Sequence, residues 1–307
     1  MAKDYDVVGV GVTAFDIIVE VDRYPGADEK MEARRVVEQG GGIVGTALVA
    51  AARLGGRCAY LGALGDDAFA DFSVKEFERE GIDTAHIRRV PGASVLLALI
   101  VADRSAGTRM IVWTGDRAPR LEPDEVPEEP IRRARVLHVD NYYPESALAA
   151  ARIARSHSVP VTMDLELSDE RAGEFLRTAD YPIVPLEFVQ QRYGVEGADE
   201  GARALYDEVG SHGGAAAVVT AGTDGSVGVS AEGVVHQPAF AAEVVDTTGC
   251  GDVYHGAFAL GVAKGWTLKR SMRVAAATAA LKCRKLGGRA GIPTMDEVKA
   301  LLRRASS

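Results

Sequence analysis

The region between residues 136 and 220 alternates between short apolar runs and longer segments with helical periodicity. Buried strands are predicted at Val136–Val139, Val159–Met163, Tyr181–Val184 and Ala216–Thr220. Helices are predicted between them at Ser146–Ser156, Asp169–Thr178 and Gly201–Gly210. This alternation is typical of a parallel sheet with helices on both faces, and it predicts an α/β architecture.

A second group of strand-like segments does not fit that alternation. Its members are Phe15–Asp22, Arg34–Glu38, Ser94–Val101 and Thr108–Trp113. The last two are separated by a turn-forming segment, which favours a hairpin. We expect this group to form a small β-strand lid, over about residues 15–38 and 94–113. No linker or repeat interrupts the chain, so we predict a single domain over residues 1–307.

A glycine run separates one lid strand from a helix of small residues. The run is Gly40–Gly42, and one face of the following helix carries Ala47, Ala50, Ala51 and Leu54. The small side chains indicate that another element packs closely against this helix. Glycines also allow a polyhydroxy ligand to approach the backbone, and Asp16 could accept hydrogen bonds from two sugar hydroxyls. The alternative for Asp16 is a solvent-facing strand residue.

The most informative stretch is Val244–Leu260, where a strand end leads through DTTGCGD into an apolar helix. Two glycines, Gly249 and Gly251, bracket the small residue Cys250 at the start of that helix. Backbone N–H groups in such a turn point towards one spot, and the helix dipole adds to their field. The pattern therefore predicts an anion hole suited to a phosphoryl group in transfer.

Asp252 lies in the same turn. A carboxylate at this place would repel a resting phosphate, so a site that merely binds phosphate would not carry it. A base that removes a proton from an attacking hydroxyl would belong there. The structural alternative is an ordinary first-turn aspartate that the helix dipole favours, and the residues alone leave both interpretations open.

Two further glycine-containing segments bear on nucleotide binding. Thr220–Gly225 ends a predicted strand in a loop that can line a nucleotide site, although an ordinary turn has the same composition. Gly9–Ala14 matches the GxGxxA dinucleotide fingerprint, but the segment after it alternates like a strand, whereas the fingerprint requires a helix. The sequence contains no GxxxxGK[ST] motif, which excludes a P-loop kinase.

Composition limits the classes of partner that this chain is expected to bind. The chain has 307 residues and a formal charge of −9, which disfavours nucleic-acid binding. Its three cysteines form no CxxC pair, and this usage fits a reducing compartment. No apolar run reaches membrane-spanning length, and no apolar segment follows the N-terminus, so we expect a cytoplasmic protein without membrane partners.

The quoted motifs resemble those of the PfkB, or ribokinase-like, family of carbohydrate kinases over nearly the whole chain. Asp246–Asp252 is similar to the family's C-terminal signature, which usually has alanine where this chain has Cys250. Gly41–Gly55 resembles the N-terminal signature, and Gly65–Phe69 and Gly81–Thr84 are also family-like. The last third is similar to sulfofructose kinases, and the lid region resembles ketohexokinases.

The resemblance implies a ribokinase-like three-layer fold with a mostly parallel central sheet and a small β-strand lid. It also implies transfer of the γ-phosphoryl group of ATP to a primary sugar hydroxyl, with Mg²⁺ as cofactor. Under this resemblance Asp252 is the base, and Gly249, Cys250 and Gly251 form the anion hole.

The resemblance also implies contacts for each ligand. Sugar contacts fall on Asp16, Gly41, Gly42, Thr46 and Asn141 or its neighbour Asp140, with Thr46 where many members carry asparagine. The ATP site falls on Thr220, Gly222, Gly225, Gly249, Gly251 and Cys283. The Asn-x-x-Glu element that helps to order magnesium is not intact, and Glu187 alone could serve, indirectly. Many members bind K⁺ near Asp246 and Thr248.

Several alternatives remain open from sequence. A neutral ketose and a sulfonated sugar are equally compatible, with Arg104, Arg109 and Arg117 as candidate ligands for an anionic group. The rival functions are a nucleoside kinase of the same fold, an NAD-dependent oxidoreductase and a non-catalytic sugar-binding regulator. An exposed lid edge predicts a homodimer formed through the lid.

Overall fold

The computed structural model describes residues 3–166 and 168–305. Residues 1–2, 167 and 306–307 of the predicted single domain lie outside the described part. Within the described residues, the strands form a large sheet and a smaller, separate one.

The large sheet is mostly parallel. Its strands, numbered in chain order over the whole molecule, are β1 (Tyr5–Val10), β4 (Cys58–Gly65), β5 (Ile87–Val90), β8 (Ala134–Asp140), β9 (Val161–Asp164), β10 (Tyr181–Pro185), β11 (Ala216–Thr220), β12 (Ser226–Ser230) and β13 (Gly233–Gln237). Their spatial order is β13-β12-β11-β10-β9-β8-β1-β4-β5. Parallel pairing runs from β11 to β5, and β12 and β13 add an antiparallel hairpin. The predicted α/β fold is confirmed.

The small sheet contains β2 (Ala14–Val21), β3 (Arg35–Gly41), β6 (Leu96–Asp103) and β7 (Thr108–Thr114) in the order β3-β2-β6-β7. β6 and β7 pair antiparallel across the turn that the sequence indicated. β2 pairs in parallel with β6, since the chain passes through the large sheet between them. We call this four-stranded unit the lid sheet. It stands apart because its strands do not take part in the strand–helix alternation.

Helices cover both faces of the large sheet. They are α1 (Ile43–Arg53), α2 (Ala68–Arg79), α3 (Glu128–Arg132), α4 (Pro144–Ser156), α5 (Ala172–Leu176), α6 (Leu186–Tyr193), α7 (Ala198–Gly210), α8 (Cys250–Ala263), α9 (Leu268–Lys282) and α10 (Met295–Arg304). The helix predicted at Asp169–Thr178 is shorter than expected. The Asp169 carboxylate accepts the Arg171 N–H at 2.9 Å, and such a local turn competes with helix formation.

The core lies in two layers on either side of the large sheet. Neighbouring residues of β1 illustrate the division, because Val8 belongs to the cluster that packs under α4, and Val7 to the cluster under α1, α8 and α9. α8 approaches α1 closely at Gly256, where an added Cβ would lie 1.9 Å from the Ala47 carbonyl oxygen. The small-residue face predicted for α1 therefore meets the helix that begins at the DTTGCGD turn.

Candidate active site

The turn before α8 is built on a left-handed glycine. Gly249 caps the helix with φ of 73°, a conformation that favours glycine. The Cys250 N–H donates to the Thr247 carbonyl at 3.2 Å and is used inside the turn. Among the described residues, no acceptor is bonded to the N–H groups of Gly249, Gly251 and Asp252. The free backbone donors at this helix start are therefore the N–H groups of Gly249, Gly251 and Asp252. The N–H of Cys250, which was predicted to belong to the anion hole, is not among them.

A cavity of about 400 Å³ lies between this turn and the lid sheet. It brings together residues that are far apart in sequence, including Asp16, Gly41, Gly42, Thr46 and the turn Gly249–Asp252. Lid residues Arg109, Ile111 and Trp113 form part of its wall, as do Tyr142 and Glu166. The glycine run and Asp16 thus share one cavity with Asp252.

Asp252 lies in an unusually negative environment. Burial raises its pKa to about 8, and repulsion from Glu166, Asp16 and Asp140 adds to the rise, while Lys282 opposes it. A carboxyl group with this pKa exchanges protons near neutral pH, as a general base requires.

Asp16 lies on the opposite wall of the cavity. Burial raises its pKa to about 6, an effect that Arg289 opposes and Glu76 supports. Its carboxylate lies over the backbone of Gly41, where an added Cβ would come within 2.2 Å of Asp16 Oδ2. Asp16 is therefore a buried, cavity-facing carboxylate, and the solvent-facing alternative is wrong.

Of the other predicted sugar contacts, Thr46 lines the cavity, whereas Asp140 and Asn141 do not. Thr46 lines the cavity, and its hydroxyl accepts a hydrogen bond from Arg289 Nε at 3.4 Å. Asp140 is used structurally, since its carboxylate accepts the N–H groups of Val12 at 2.7 Å and Tyr142 at 3.0 Å. In the loop after β8, Tyr142 and not Asn141 contributes to the cavity lining.

Arg289 is a buried side chain that contacts residues of the cavity wall, and the sequence analysis did not single it out. It is 1% exposed and forms an ion pair with Glu76 of α2 at 2.5 Å. Its guanidinium also donates to the Gly41 carbonyl at 2.6 Å. Added Cβ atoms at Gly40 and Gly45 would lie 2.1 and 2.5 Å from its terminal nitrogens. These two glycines therefore make room for the arginine side chain.

Asp164 and His255 form a second buried group beside the turn. His255 Nδ1 lies 3.0 Å from Asp164 Oδ2 and 2.7 Å from the Gly251 carbonyl. Burial lowers the pKa of His255 to about 4 and raises that of Asp164. The His255 imidazole thus holds the Gly251 carbonyl in place. This carbonyl belongs to the same turn as the N–H groups that face the cavity. Asp164 ends a parallel strand, and that position was a usable sequence signal.

Two of the predicted ATP residues, Gly249 and Gly251, line this cavity, whereas Thr220, Gly222, Gly225 and Cys283 lie outside it. Thr220 ends β11 at the same sheet edge as Asp140 and Asp164, and its hydroxyl donates to the Val184 carbonyl at 3.4 Å. Gly222 and Gly225 form the loop that follows. Cys283 follows α9, and its Sγ lies 2.9 Å from Cys250 Sγ. The exposed Glu187 lies in the first turn of α6, directly after β10.

The residues predicted for K⁺ are already engaged. The Asp246 carboxylate accepts the N–H and the hydroxyl of Thr248, both at 2.8 Å, and the Gly287 N–H at 2.7 Å. The Asp246 carbonyl accepts the Lys282 ammonium at 3.0 Å. Burial acts to raise the pKa of Asp246, but the two N–H donors and Lys282 hold it below its usual value.

The family assignment agrees with this geometry. The sequence model described as "pfkB family carbohydrate kinase" matches residues 5–295. The chain belongs to this family. It is therefore a carbohydrate kinase, and the dinucleotide fingerprint at Gly9–Ala14 does not operate as such, since it leads into β2 and not into a helix.

Individual relatives cover nearly the whole chain. An ATP-dependent ribose-1-phosphate kinase from Halopiger xanaduensis is 30% identical over 96% of this chain and 97% of its own. A ketohexokinase from Mus musculus is 24% identical over 92% and 97%. A structure of Arabidopsis thaliana ribokinase complexed with ribose and ATP has a TM-score of 0.83 at 24% identity, covering 99% of both chains, which shows a shared fold.

No helix in residues 3–166 or 168–305 is long and apolar enough to cross a bilayer. In the same residues, no group of three or more acidic, histidine or cysteine side chains is arranged to hold a metal ion.

Proposed function

We propose that this chain transfers the γ-phosphoryl group of ATP to a primary hydroxyl of a small sugar, with a ketose such as fructose or a fructose derivative favoured. One observation carries the proposal: a single cavity contains a carboxylate of raised pKa, the free amides of a helix start and a polar wall of glycine backbone and Asp16.

In this proposal Asp252 accepts the proton of the sugar hydroxyl while the new oxygen–phosphorus bond forms and the bond to the ADP oxygen breaks. The amides of Gly249, Gly251 and Asp252 donate to the phosphoryl oxygens, where negative charge accumulates. Asp16 accepts hydrogen bonds from other hydroxyls and fixes the orientation of the sugar. The lid sheet covers the cavity and limits the access of water.

ATP is expected along the carboxyl ends of the parallel strands, near Thr220, Gly222, Gly225 and Cys283. Mg²⁺ would neutralise the phosphates of the bound nucleotide. Since the described residues contain no cluster of three or more ligands, the ion would be held mainly by those phosphates, with Glu187 acting through water. Such a site fits the single carboxylate that remains of the Asn-x-x-Glu element.

Electrostatics favour a neutral sugar. The described cavity lining carries Asp16, Glu166 and Asp252 against one cation, Arg109. Arg109 also donates to the Thr247 hydroxyl at 2.8 Å. An anionic sugar would meet more negative than positive charge here, so we favour a fructose-like acceptor over a sulfonated one.

Replacing Asp252 by Asn tests the role of the base. We expect turnover to fall by about 10²–10⁴-fold, the usual range for a general base, with sugar binding retained. The matched control is Asp296→Asn, since Asp296 is also an acidic residue in the first turn of a helix. If the carboxylates only served their helix dipoles, both variants would keep their turnover and lose about 0.3–1 kcal/mol of stability.

A substrate panel separates the remaining alternatives. ADP release is measured with fructose, sulfofructose, ribose, ribose 1-phosphate, 2-keto-3-deoxygluconate and adenosine. Preference for a neutral ketose supports the proposal, and preference for adenosine indicates a nucleoside kinase. Absence of ADP release with every acceptor, together with measurable sugar binding, would indicate a non-catalytic regulator.

A further inference from the structure

Lys282 is a fully buried lysine at the end of α9. Its side chain is 0% exposed, and its Nζ donates to the main-chain oxygen of Asp246 at 3.0 Å. Lysine is almost never fully buried unless its charge is compensated, because desolvation of an ammonium group is costly. We therefore expect the positive charge of Lys282 to have a role at this place in the fold.

The Lys282 ammonium lies beneath the anion-hole turn. Asp246 is the first residue of that turn, and its carboxylate binds Thr248 within the turn and Gly287 in the neighbouring loop. Lys282 also acts on Asp252 through space, where it opposes the neighbouring carboxylates. The Lys282 ammonium thus binds Asp246, where the turn begins. It also acts electrostatically on Asp252, where the turn ends.

A bound potassium ion would compete for the same place. Such an ion replaces its hydration shell with oxygens, chiefly main-chain carbonyls. The Asp246 carbonyl is bonded to Lys282, and the Thr248 hydroxyl is bonded to the Asp246 carboxylate. A second positive charge at the Asp246 carbonyl would also repel the ammonium. The residues of this chain therefore do not fit a potassium ion at the expected position.

We propose that Lys282 is a built-in monovalent cation of the anion-hole turn, so that this kinase needs no added potassium. Lys282 is a positioning residue, because it acts through Asp246 and the turn and touches no reacting atom. Its positive charge fixes the turn and offsets the negative charge that gathers there during transfer. The catalytic part of this proposal rests on the proposed kinase function, whereas the binding part does not.

The unaltered protein gives the first test. Thermal unfolding midpoints and turnover are compared in choline, sodium, potassium and ammonium chloride at equal ionic strength. We expect the same midpoint and rate in all four salts. A higher midpoint or a several-fold higher rate in potassium than in choline would overturn the proposal. The unfolding measurement needs no substrate, so it holds even if the assigned acceptor is wrong.

Variants of Lys282 give the second test. Lys282→Met fills the volume without a charge, and we expect turnover in choline to fall on the order of 10²-fold, as for the loss of one oxyanion-hole interaction. Lys282→Ala leaves space, so potassium or ammonium should raise its unfolding midpoint and restore part of its rate. Lys285→Met, at a neighbouring exposed lysine, is the control and should respond to no salt.

Either of two results contradicts the proposal. One is a Lys282→Met variant with the rate of the unaltered protein in choline. The other is a folded Lys282→Ala variant whose unfolding midpoint is the same in potassium and choline, which would mean that no cation site exists at Asp246. If neither variant folds, the salt comparison on the unaltered protein decides alone.

Discussion

At the scale of single residues, the site depends on how much negative charge surrounds Asp252. Its carboxyl is desolvated by burial, and Glu166, Asp16 and Asp140 repel its ionised form. Lys282 is the cationic group that opposes them. Protonation at neutral pH therefore competes directly with the proposed catalytic role, which requires the ionised form.

This competition predicts a pH dependence. Because the base must be ionised, kcat/KM should rise with pH through an apparent pKa of about 8 and fall as pH decreases. Replacing Glu166 by Gln removes one repelling charge. This lowers the pKa of Asp252, so the acidic limb of the profile should move to lower pH by on the order of one pH unit. Steady-state kinetics between about pH 5 and about pH 10 record this acidic limb in both proteins.

The control for this prediction is Glu232→Gln, which removes an exposed carboxylate in the turn between β12 and β13. Its profile should coincide with that of the unaltered enzyme. An acidic limb that stays in place in Glu166→Gln would show that another group controls the rate.

Residues of the site differed in how well sequence could predict them. The place of Asp252 in the cavity was predictable because the residue directly follows a local turn in which Gly249 and Gly251 bracket Cys250. Arg289 and Lys282 were not, because each acquires its role from partners far along the chain, such as Glu76 and Asp246. A charged residue at a helix end or in a loop looks solvent-exposed until the fold is known.

At the scale of secondary structure, the position of the catalytic turn depends on the packing of α8 against α1. Gly256 is the contact point, with no room for a side chain against the Ala47 carbonyl. α1 itself begins directly after Gly42, which lines the cavity. The N-terminus of α1 therefore carries the glycine wall, and the N-terminus of α8 carries the anion-hole turn, to the same cavity.

Replacing Gly256 by Ala should separate these helices. The added methyl group would be forced against a backbone oxygen, so we expect a loss of about 1–3 kcal/mol in the free energy of unfolding, as for overpacked cores. Turnover should fall as well, because the turn moves with α8. Urea denaturation and steady-state kinetics measure the two effects.

Gly210→Ala provides a matched control for this change. Gly210 ends α7, and an added Cβ there meets no atom within 4 Å. Alanine at this position should be neutral or slightly stabilising, because it restricts the unfolded chain. Equal losses in both variants would contradict a packing effect at Gly256.

The strand–helix pattern was the easiest part of this level to predict. The sequence predicted an apolar helix at the end of the DTTGCGD motif, and α8 begins inside that motif, at Cys250, because the left-handed Gly249 caps it. Sequence analysis missed β5 and α10, since Ile87–Val90 is short and α10 has just one fully buried side chain, Val298. A weakly buried element leaves a weak hydrophobic pattern.

At the scale of the whole molecule, the described residues leave part of one apolar face of the lid sheet uncovered, beyond the end where Phe15 packs against α2. Asp16, Leu96 and Ala98 line the cavity on one face, so the alternate residues project from the other. Cross-strand pairing aligns Leu99 with Val112 and Val101 with Met110 on that outer face. Val36, Leu99, Met110 and Val112 are between 44% and 58% exposed.

An exposed apolar face of this kind is expected to be covered in solution. Among the described strands, β3 and β7 lie at the two sides of the lid sheet, and each leaves an edge unpaired. We propose that a second copy of this chain covers it. A second lid sheet presents the same apolar rows, and a two-fold pairing buries both faces at once, whereas a polar partner would leave them uncompensated. The dimer would also hold each lid over its cavity.

Light scattering tests this arrangement. The unaltered protein should have twice the 32.5 kDa mass of one chain, and Val112→Lys should shift the mass towards one chain, since a desolvated ammonium would oppose the apolar contact. Val244→Lys changes a valine that is 60% exposed but lies outside the lid sheet, so its mass should remain that of the dimer. A monomeric unaltered protein, or a Val112→Lys variant that still pairs fully, would show that the outer face is not the interface.

If the dimer holds the lid in position, Val112→Lys should also raise KM for the sugar more than it lowers kcat, because a loosened lid weakens binding before it affects the turn at Asp252.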